Sequence, residues 1–403
     1  MFSAIVPHKL SRFEWLAFSF GSVAFSGILF AALLKRLLVP VNITGVAGSC
    51  MIMLIGVALL FRIPFKLPGL AGFGMIFFSI ISFVLSIIYF YRDGAAYDRD
   101  FVLHKIALAL LGPVFYFAGS MYARLGSRRV LGLNLIHGML FASCLAVWQM
   151  VHGQPSPLDA QTVGSYYQYA GDALALSFIL CSVVFFGSFS LTSQLVFFIS
   201  NLFILLTLGS RASVAIFMAS FLALLYVKGG GRKLLYFSAI GIVLLFLLFW
   251  SGLNIRILDK FRSFVADGYI DTSLRERLDY SRSALAAIIE SPISGDFGYD
   301  YPGARYAHNM LDVWANYGLI VFIFYLTPVF CGFIALFRVI STARLALLSV
   351  LLTYILVALI FFRHPENMVV FFAMGCLGVF AGASSNEAGV LMDDRKCRSG
   401  EGL

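Results

Sequence analysis

The sequence predicts an all-α polytopic membrane protein of about twelve transmembrane helices, with one large polar segment outside the bilayer. Composition, the length of the apolar runs and the distribution of Lys and Arg carry that expectation. Of the 403 residues, 61% are hydrophobic and only 12% are charged. Mean hydropathy is +0.92. A soluble domain carries roughly 25% charge, so a chain of this length with so little cannot build a water-soluble surface. The 42 phenylalanines suit lipid-facing helices.

A helix crosses the hydrocarbon core with about 20 apolar residues. Runs of that kind fall at 14–34, 43–61, 70–91, 101–122, 130–151, 173–189, 191–208, 212–227, 233–252, 311–336, 345–362 and 367–383. The seventh and eighth are short, and only Gly209, Ser210 and Arg211 separate them. Pro7, His8, Lys9 and Arg12 precede the first run without a small-residue cleavage pattern after it, so that run reads as a span and not as a cleaved signal. The chain then divides into helices one to nine (1–252), a loop bearing a short amphipathic helix (253–310), helices ten to twelve (311–383) and a polar tail (384–403).

Lys and Arg in short loops set orientation. With the N-terminus inside, the inner loops hold Lys9, Arg12, Arg62, Lys66, Arg124, Arg128, Arg129, Lys228, Arg232, Lys233, Arg338, Arg344, Arg395, Lys396 and Arg398. The outer short loops hold fewer: Lys35, Arg36, Arg92, Arg99, Lys105, Arg211 and Arg363. Both termini are therefore expected in the cytoplasm. The net charge of +9 is largely inner anchoring. It forms no basic stripe interleaved with aromatics, so a nucleic-acid partner is not expected. No Cys/His spacing points to a metal, and no cofactor is expected.

Three outer features remain. Residues 152–172 contain no Lys or Arg and carry Tyr166, Tyr167, Gln168 and Tyr169 in sequence. They suit either stacking on a sugar or an interfacial aromatic belt. Gly209-Ser210-Arg211 places a guanidinium at the outer edge between two spans, where it snorkels or binds an anion. Residues 253–310 hold near-balanced charge. Within them 274–290 read as an amphipathic helix, capped by Thr272 or Ser273 with Glu276 completing a capping box, and stopped by Pro292. Leu278, Leu285 and Ile289 mark one face. Arg275 and Arg282 share a face seven apart, where Asp279 neutralises them or a ligand takes them, and Arg277 turns away. Further on, Arg305, Tyr306, His308 and Asn309 lead into the tenth span. Asp312 is four residues beyond His308, on the same helical face, where it would accept from one imidazole nitrogen. The other reading of His308 or Asn309 is a helix cap.

Arginines neutralise a lipid diphosphate bidentately and do not lose their protons. A histidine takes a proton from an attacking hydroxyl. Together they permit glycosyl transfer from a polyprenyl-diphosphate sugar, the arginines standing where other enzymes use a metal.

The runs GSRASVAIF, RLDYSRSALAAIIESPISGDFG and AHNMLDVWANYGLIVF resemble, in order, the motifs of the O-antigen ligase and O-antigen polymerase superfamily. The resemblance covers roughly 205–335. It implies a GT-C-like helical fold in the bacterial inner membrane, an undecaprenyl-diphosphate-linked glycan donor, and no metal. It maps Arg211 and Arg277 onto diphosphate-binding arginines and His308 onto the residue that activates the acceptor. Arg275, Arg282, Arg305, Tyr306, Asn309, Asp312 and Tyr167 are the further candidates for substrate binding. This chain departs from the pattern at Ala212, where the family often has Gly, and at Ser281, where an aromatic often stands. The acceptor is either a second lipid-linked glycan (a polymerase) or the lipid A core (a ligase). The absence of a further outer basic cluster favours the polymerase. A polysaccharide or small-solute transporter is the competing class, disfavoured because few charges fall at mid-span.

Overall fold

The computed structural model describes residues 69–93, 99–125, 139–140, 143, 166–185, 190–207, 210–250, 272–299, 307, 309–339, 342–362 and 368–382. Every element among them is helical: α1 (Gly69–Asp93), α2 (Arg99–Leu125), α3 (Tyr166–Phe185), α4 (Leu191–Thr207), α5 (Arg211–Trp250), α6 (Thr272–Glu290), α7 (Leu311–Arg338), α8 (Thr342–Val357, continued by a π turn Ala358–Phe362) and α9 (Met368–Gly382). Gly69–Tyr91, Arg211–Val243 and Leu311–Arg338 are long and apolar enough to cross a membrane, and five further apolar helices are shorter. The protein is a membrane protein, all-helical in its regular elements among the described residues. Helices cover nine of the twelve expected runs. The runs 14–34 and 43–61, and all but a few residues of 130–151, lie outside the described residues.

Two of the helices are continuous only in name. In α5, Gly230 adopts φ 69°, ψ 174°. The rings of Phe221 and Phe237 lie 5.7 Å apart. In a straight helix their Cα atoms would be separated by about 24 Å. The chain therefore folds back at Gly229-Gly230-Gly231, giving the two antiparallel arms that the runs 212–227 and 233–252 predict. Phe198 of α4 packs between both arms, 4.8 Å from Phe221 and 5.7 Å from Phe237. In α7, Gly318 adopts φ 80°, ψ 175°. Trp314 stacks 5.2 Å from Phe322, which a straight helix would hold a full two turns away. The element is thus a two-turn piece, Leu311–Tyr317, set at an angle to a span starting at Leu319.

With no hydrophobic drive between helices in lipid, close packing requires small residues. The α2–α9 contact shows this. A Cβ at Gly119 would strike the carbonyl of Phe372, and one at Gly375 the carbonyl of Tyr116. The Ser120 hydroxyl donates to the Gly375 carbonyl at 3.1 Å and the Cys376 thiol to the Gly119 carbonyl at 3.3 Å. Gly74 of α1 likewise admits Thr327 of α7.

The bundle has two chemically different ends. At one, Lys228 donates to the Val183 carbonyl at 2.7 Å, and Arg344 donates to the Phe380 carbonyl through Nε at 3.0 Å and Nη2 at 2.6 Å. These cations close the C-terminal carbonyls of α3 and α9, where the helix dipole favours positive charge. The other end holds Asp172, Ser210, Arg211, Asn309 and the π turn.

Candidate functional site

The site is built on the second end from two clusters that α8 joins. The first surrounds Arg211. Ser210 caps α5: its hydroxyl receives the Ser213 amide at 3.4 Å and lies 2.7 Å from the Ser213 hydroxyl. Ser213 in turn donates to Oδ1 of Asp172 at 2.7 Å. Asp172 is fully buried. A carboxyl group so placed is tolerated only when hydrogen-bonded. Gly171 leaves the room this needs, since a Cβ there would meet the Ser213 hydroxyl. The Tyr354 hydroxyl donates to the Asp172 carbonyl at 3.0 Å, tying α3 to α8. Arg211, half-buried, sits as the first residue of α5. A guanidinium at a helix amide end is a place for an anion twice over.

The second cluster is the mating of α6 with the start of α7. Ala284, Ala287 and Ile288 of α6 pack on Ala307 and Ala315. Ser281 stands on that side. Its hydroxyl receives the Asn309 side-chain amide at 3.3 Å and donates to the Ala307 carbonyl at 3.4 Å. Asn309 also accepts the Leu311 amide at 2.9 Å, so it caps α7 as well. Asp312, almost fully buried, accepts from the Ala307 amide at 2.7 Å and from the Tyr299 hydroxyl. It thereby pins the segment entering α7. The Met310 amide donates to the Leu359 carbonyl at 2.8 Å, so the π turn of α8 reaches this cluster. Tyr354 and Leu359 are five residues apart on α8, a rise of about 7 Å, which sets the two clusters side by side.

A turn locks α6 in position. Ser291–Tyr299 lies over the Gly318 bend: the Leu319 amide donates to the Pro292 carbonyl at 3.1 Å and the Asp296 amide to the Ala315 carbonyl at 2.6 Å. Trp314 Nε1 donates to Pro292 at 2.8 Å, and Asn316 Oδ1 receives the Gly298 amide at 3.1 Å. Phe297 stacks on Tyr89 of α1 at 4.4 Å. Burial and the nearby Glu290 charge raise the Asp296 carboxyl above its ordinary range.

Arg277 is half-buried and one turn from Ser281, on the side of α6 that faces α7. Arg275 and Arg282 point the other way, and Arg282 pairs with Asp279 at 3.1 Å with four fifths of its side chain exposed. The structure therefore separates the three arginines. The small-residue face docks, while Leu278, Leu285 and Ile289 are 54%, 49% and 72% exposed. Tyr167 lies in the first turn of α3. Arg305, Tyr306 and His308 lie outside the described residues. The flanking Ala307 and Asn309 are both held by the contacts above.

The sequence reading missed the buried state of Asp172, and with it Ser213 and Tyr354. The available signal was an acid adjoining the apolar run at 173. Nothing marked Tyr299 among its neighbours. Ser281, noted only as a departure from the family pattern, proves to join α6 to Asn309.

No known protein family and no curated protein matches the chain.

Proposed function

We propose that this chain is a metal-independent membrane glycosyltransferase that moves an undecaprenyl-diphosphate-linked glycan at the periplasmic face of the inner membrane, in surface-polysaccharide synthesis. In this reading the spans number about twelve, the helical arrangement is GT-C-like, and both termini are cytoplasmic. The observation that carries the reading is the docking of α6 through Ser281 on Ala307 and Asn309, one helical turn from Arg277 and beside the cluster holding Arg211. Two of the three motifs that resemble the O-antigen ligase and polymerase superfamily are mated there, and the third lies next to them.

Arg211, at the amide end of α5, and Arg277 hold the diphosphate and neutralise the charge that develops as the sugar leaves. His308 takes the proton of the acceptor hydroxyl as that oxygen attacks the anomeric carbon. The bond from that carbon to the diphosphate oxygen breaks, and the lipid diphosphate departs. Asp312 and Asn309 hold the backbone on either side of His308. The favoured acceptor is a second lipid-linked glycan, which makes the chain a repeat-unit polymerase. The alternative is a ligase that uses the lipid A core.

The test is His308→Ala in a deletion strain, scored by polysaccharide banding with the protein level monitored. Loss of banding at wild-type protein level is expected, and normal banding would remove His308 from the mechanism. Deletion of the gene separates the acceptors: a single repeat unit left on the core marks a polymerase, and a bare core marks a ligase.

A further inference from the structure

Around the axis of α6 the exposed residues fall in an ordered series. At 100° per residue, Leu278, Leu285 and Ile289 form one strip. Arg275 and Arg282 form the next. Asp279, Ser283, Glu290 and Glu276 follow on the far side. The strip is solvent-exposed although α6 has a docked face available for apolar side chains, and Ile293, 67% exposed, extends it past the end of the helix. The extension reaches the membrane span: a Cβ at Gly318 would strike the Ile293 carbonyl. Immediately beyond the bend, Ile320 and Ile323 are 52% and 49% exposed, as lipid-facing residues of a span are. The turn that follows α6 therefore meets α7 next to exposed apolar residues of the span. The order apolar, then basic, then acidic is that of a helix lying in a headgroup layer. Its aliphatic side chains enter the acyl boundary, its guanidinium groups sit at the phosphates, and its acids face water.

We infer that α6 rests on the outer leaflet of the bilayer, with Leu278, Leu285 and Ile289 in lipid and Arg275 and Arg282 on lipid phosphates. The Arg282–Asp279 pair is no obstacle, because exposed pairs at this spacing are weak enough to exchange for a phosphate. The inference does not depend on the glycosyltransferase reading. It requires that the chain is a membrane protein, and the choice of leaflet rests on the Lys and Arg distribution of the loops. It gives the three arginines of α6 separate tasks, with Arg277 toward the site and the other two toward lipid.

The experiment places the photo-crosslinker p-benzoylphenylalanine at Leu285, and separately at Ser283, in the full-length chain in vesicles of phosphatidylethanolamine and phosphatidylglycerol. Illumination is followed by mass analysis of the protein. Both positions are exposed, so neither substitution opens the core. A phospholipid adduct is expected at position 285 and not at 283. Arg275→Glu with Arg282→Glu should diminish the adduct at 285. Crosslinking of position 285 to polypeptide, whether its own chain or a second copy, would overturn the inference. So would equal lipid adducts at both positions, or none at either.

Discussion

Gly230 and Gly318 adopt nearly the same backbone conformation, φ 69°, ψ 174° and φ 80°, ψ 175°, and both interrupt what would otherwise be a single helix. Their surroundings differ. A Cβ at Gly230 would meet nothing within 4 Å, whereas one at Gly318 would strike the Ile293 carbonyl. Gly230 turns a hairpin at the end of the bundle that holds Lys228. Gly318 receives the Ser291–Tyr299 turn and so fixes α6 over the site. The same torsions serve a connection in one place and a docking joint in the other. Only the joint needs glycine for space as well as for conformation.

The largest expected effect tests that difference. A side chain in this φ/ψ region costs about 1–3 kcal/mol wherever it occurs. Gly318→Ala adds a collision with backbone that cannot move without lifting the turn off α7. It should abolish activity and most folded protein, read as yield and melting temperature in detergent. Gly230→Ala should remain folded with a modestly lower melting temperature. Equal damage from both would break the comparison.

Asp312→Ala comes next. It leaves the Tyr299 hydroxyl without its acceptor, at about 1–3 kcal/mol for a buried group, and the Ala307 amide with only the Tyr299 oxygen at 3.3 Å. Activity should fall further than stability does, because the segment holding His308 loses its tether. A proportional fall in both would make Asp312 a purely structural residue.

A smaller contrast lies within α6. Arg277→Lys keeps the charge but loses the bidentate fork, and it should lower turnover about tenfold or more, the scale of one lost charge-assisted bond. Arg275→Lys should leave turnover near wild type. Equal losses would return Arg275 to the substrate.

The smallest effect concerns the turn itself. The Asp296 carboxyl is raised from its ordinary value of 3.8 by burial and by Glu290. For an acid raised in the folded state, the protonated form favours folding. That contribution is complete below the unfolded value and is lost as pH rises through the folded one. Asp296→Asn should therefore raise the melting temperature slightly at neutral pH, and the gain should vanish below about pH 4. A gain that persists in acid would assign the effect to something other than this charge.

Much of the fold is legible in the sequence for a simple reason. The bilayer fixes the length of an apolar run, and Lys228, Arg232 and Lys233 mark the break between the runs 212–227 and 233–252. The C-terminal end of the amphipathic helix was legible as well, from Pro292; at the other end α6 begins at Thr272, so Thr272 and Ser273, expected as caps of a helix over 274–290, lie inside it. The docking face of α6 was not legible. Ala284 and Ala287 carry little apolar signal, whereas Leu285 and Ile289 read as core in any scheme that assumes water outside. Nor was the buried state of Asp172 legible, because Ser213 and Tyr354 approach it from 41 and 182 residues away. Pairings of that range leave no local periodicity to read.

The π turn at Ala358–Phe362 behaves as a spacer one residue too long. Its Leu359 carbonyl receives the Met310 amide of the neighbouring cluster. Removing Ala358 would wind the turn tight again and swing that carbonyl by roughly a quarter revolution. Met310 would then lose its hold on α8, and the two clusters would drift out of register. Their alignment runs through α8 and depends on a surplus of one residue in the chain.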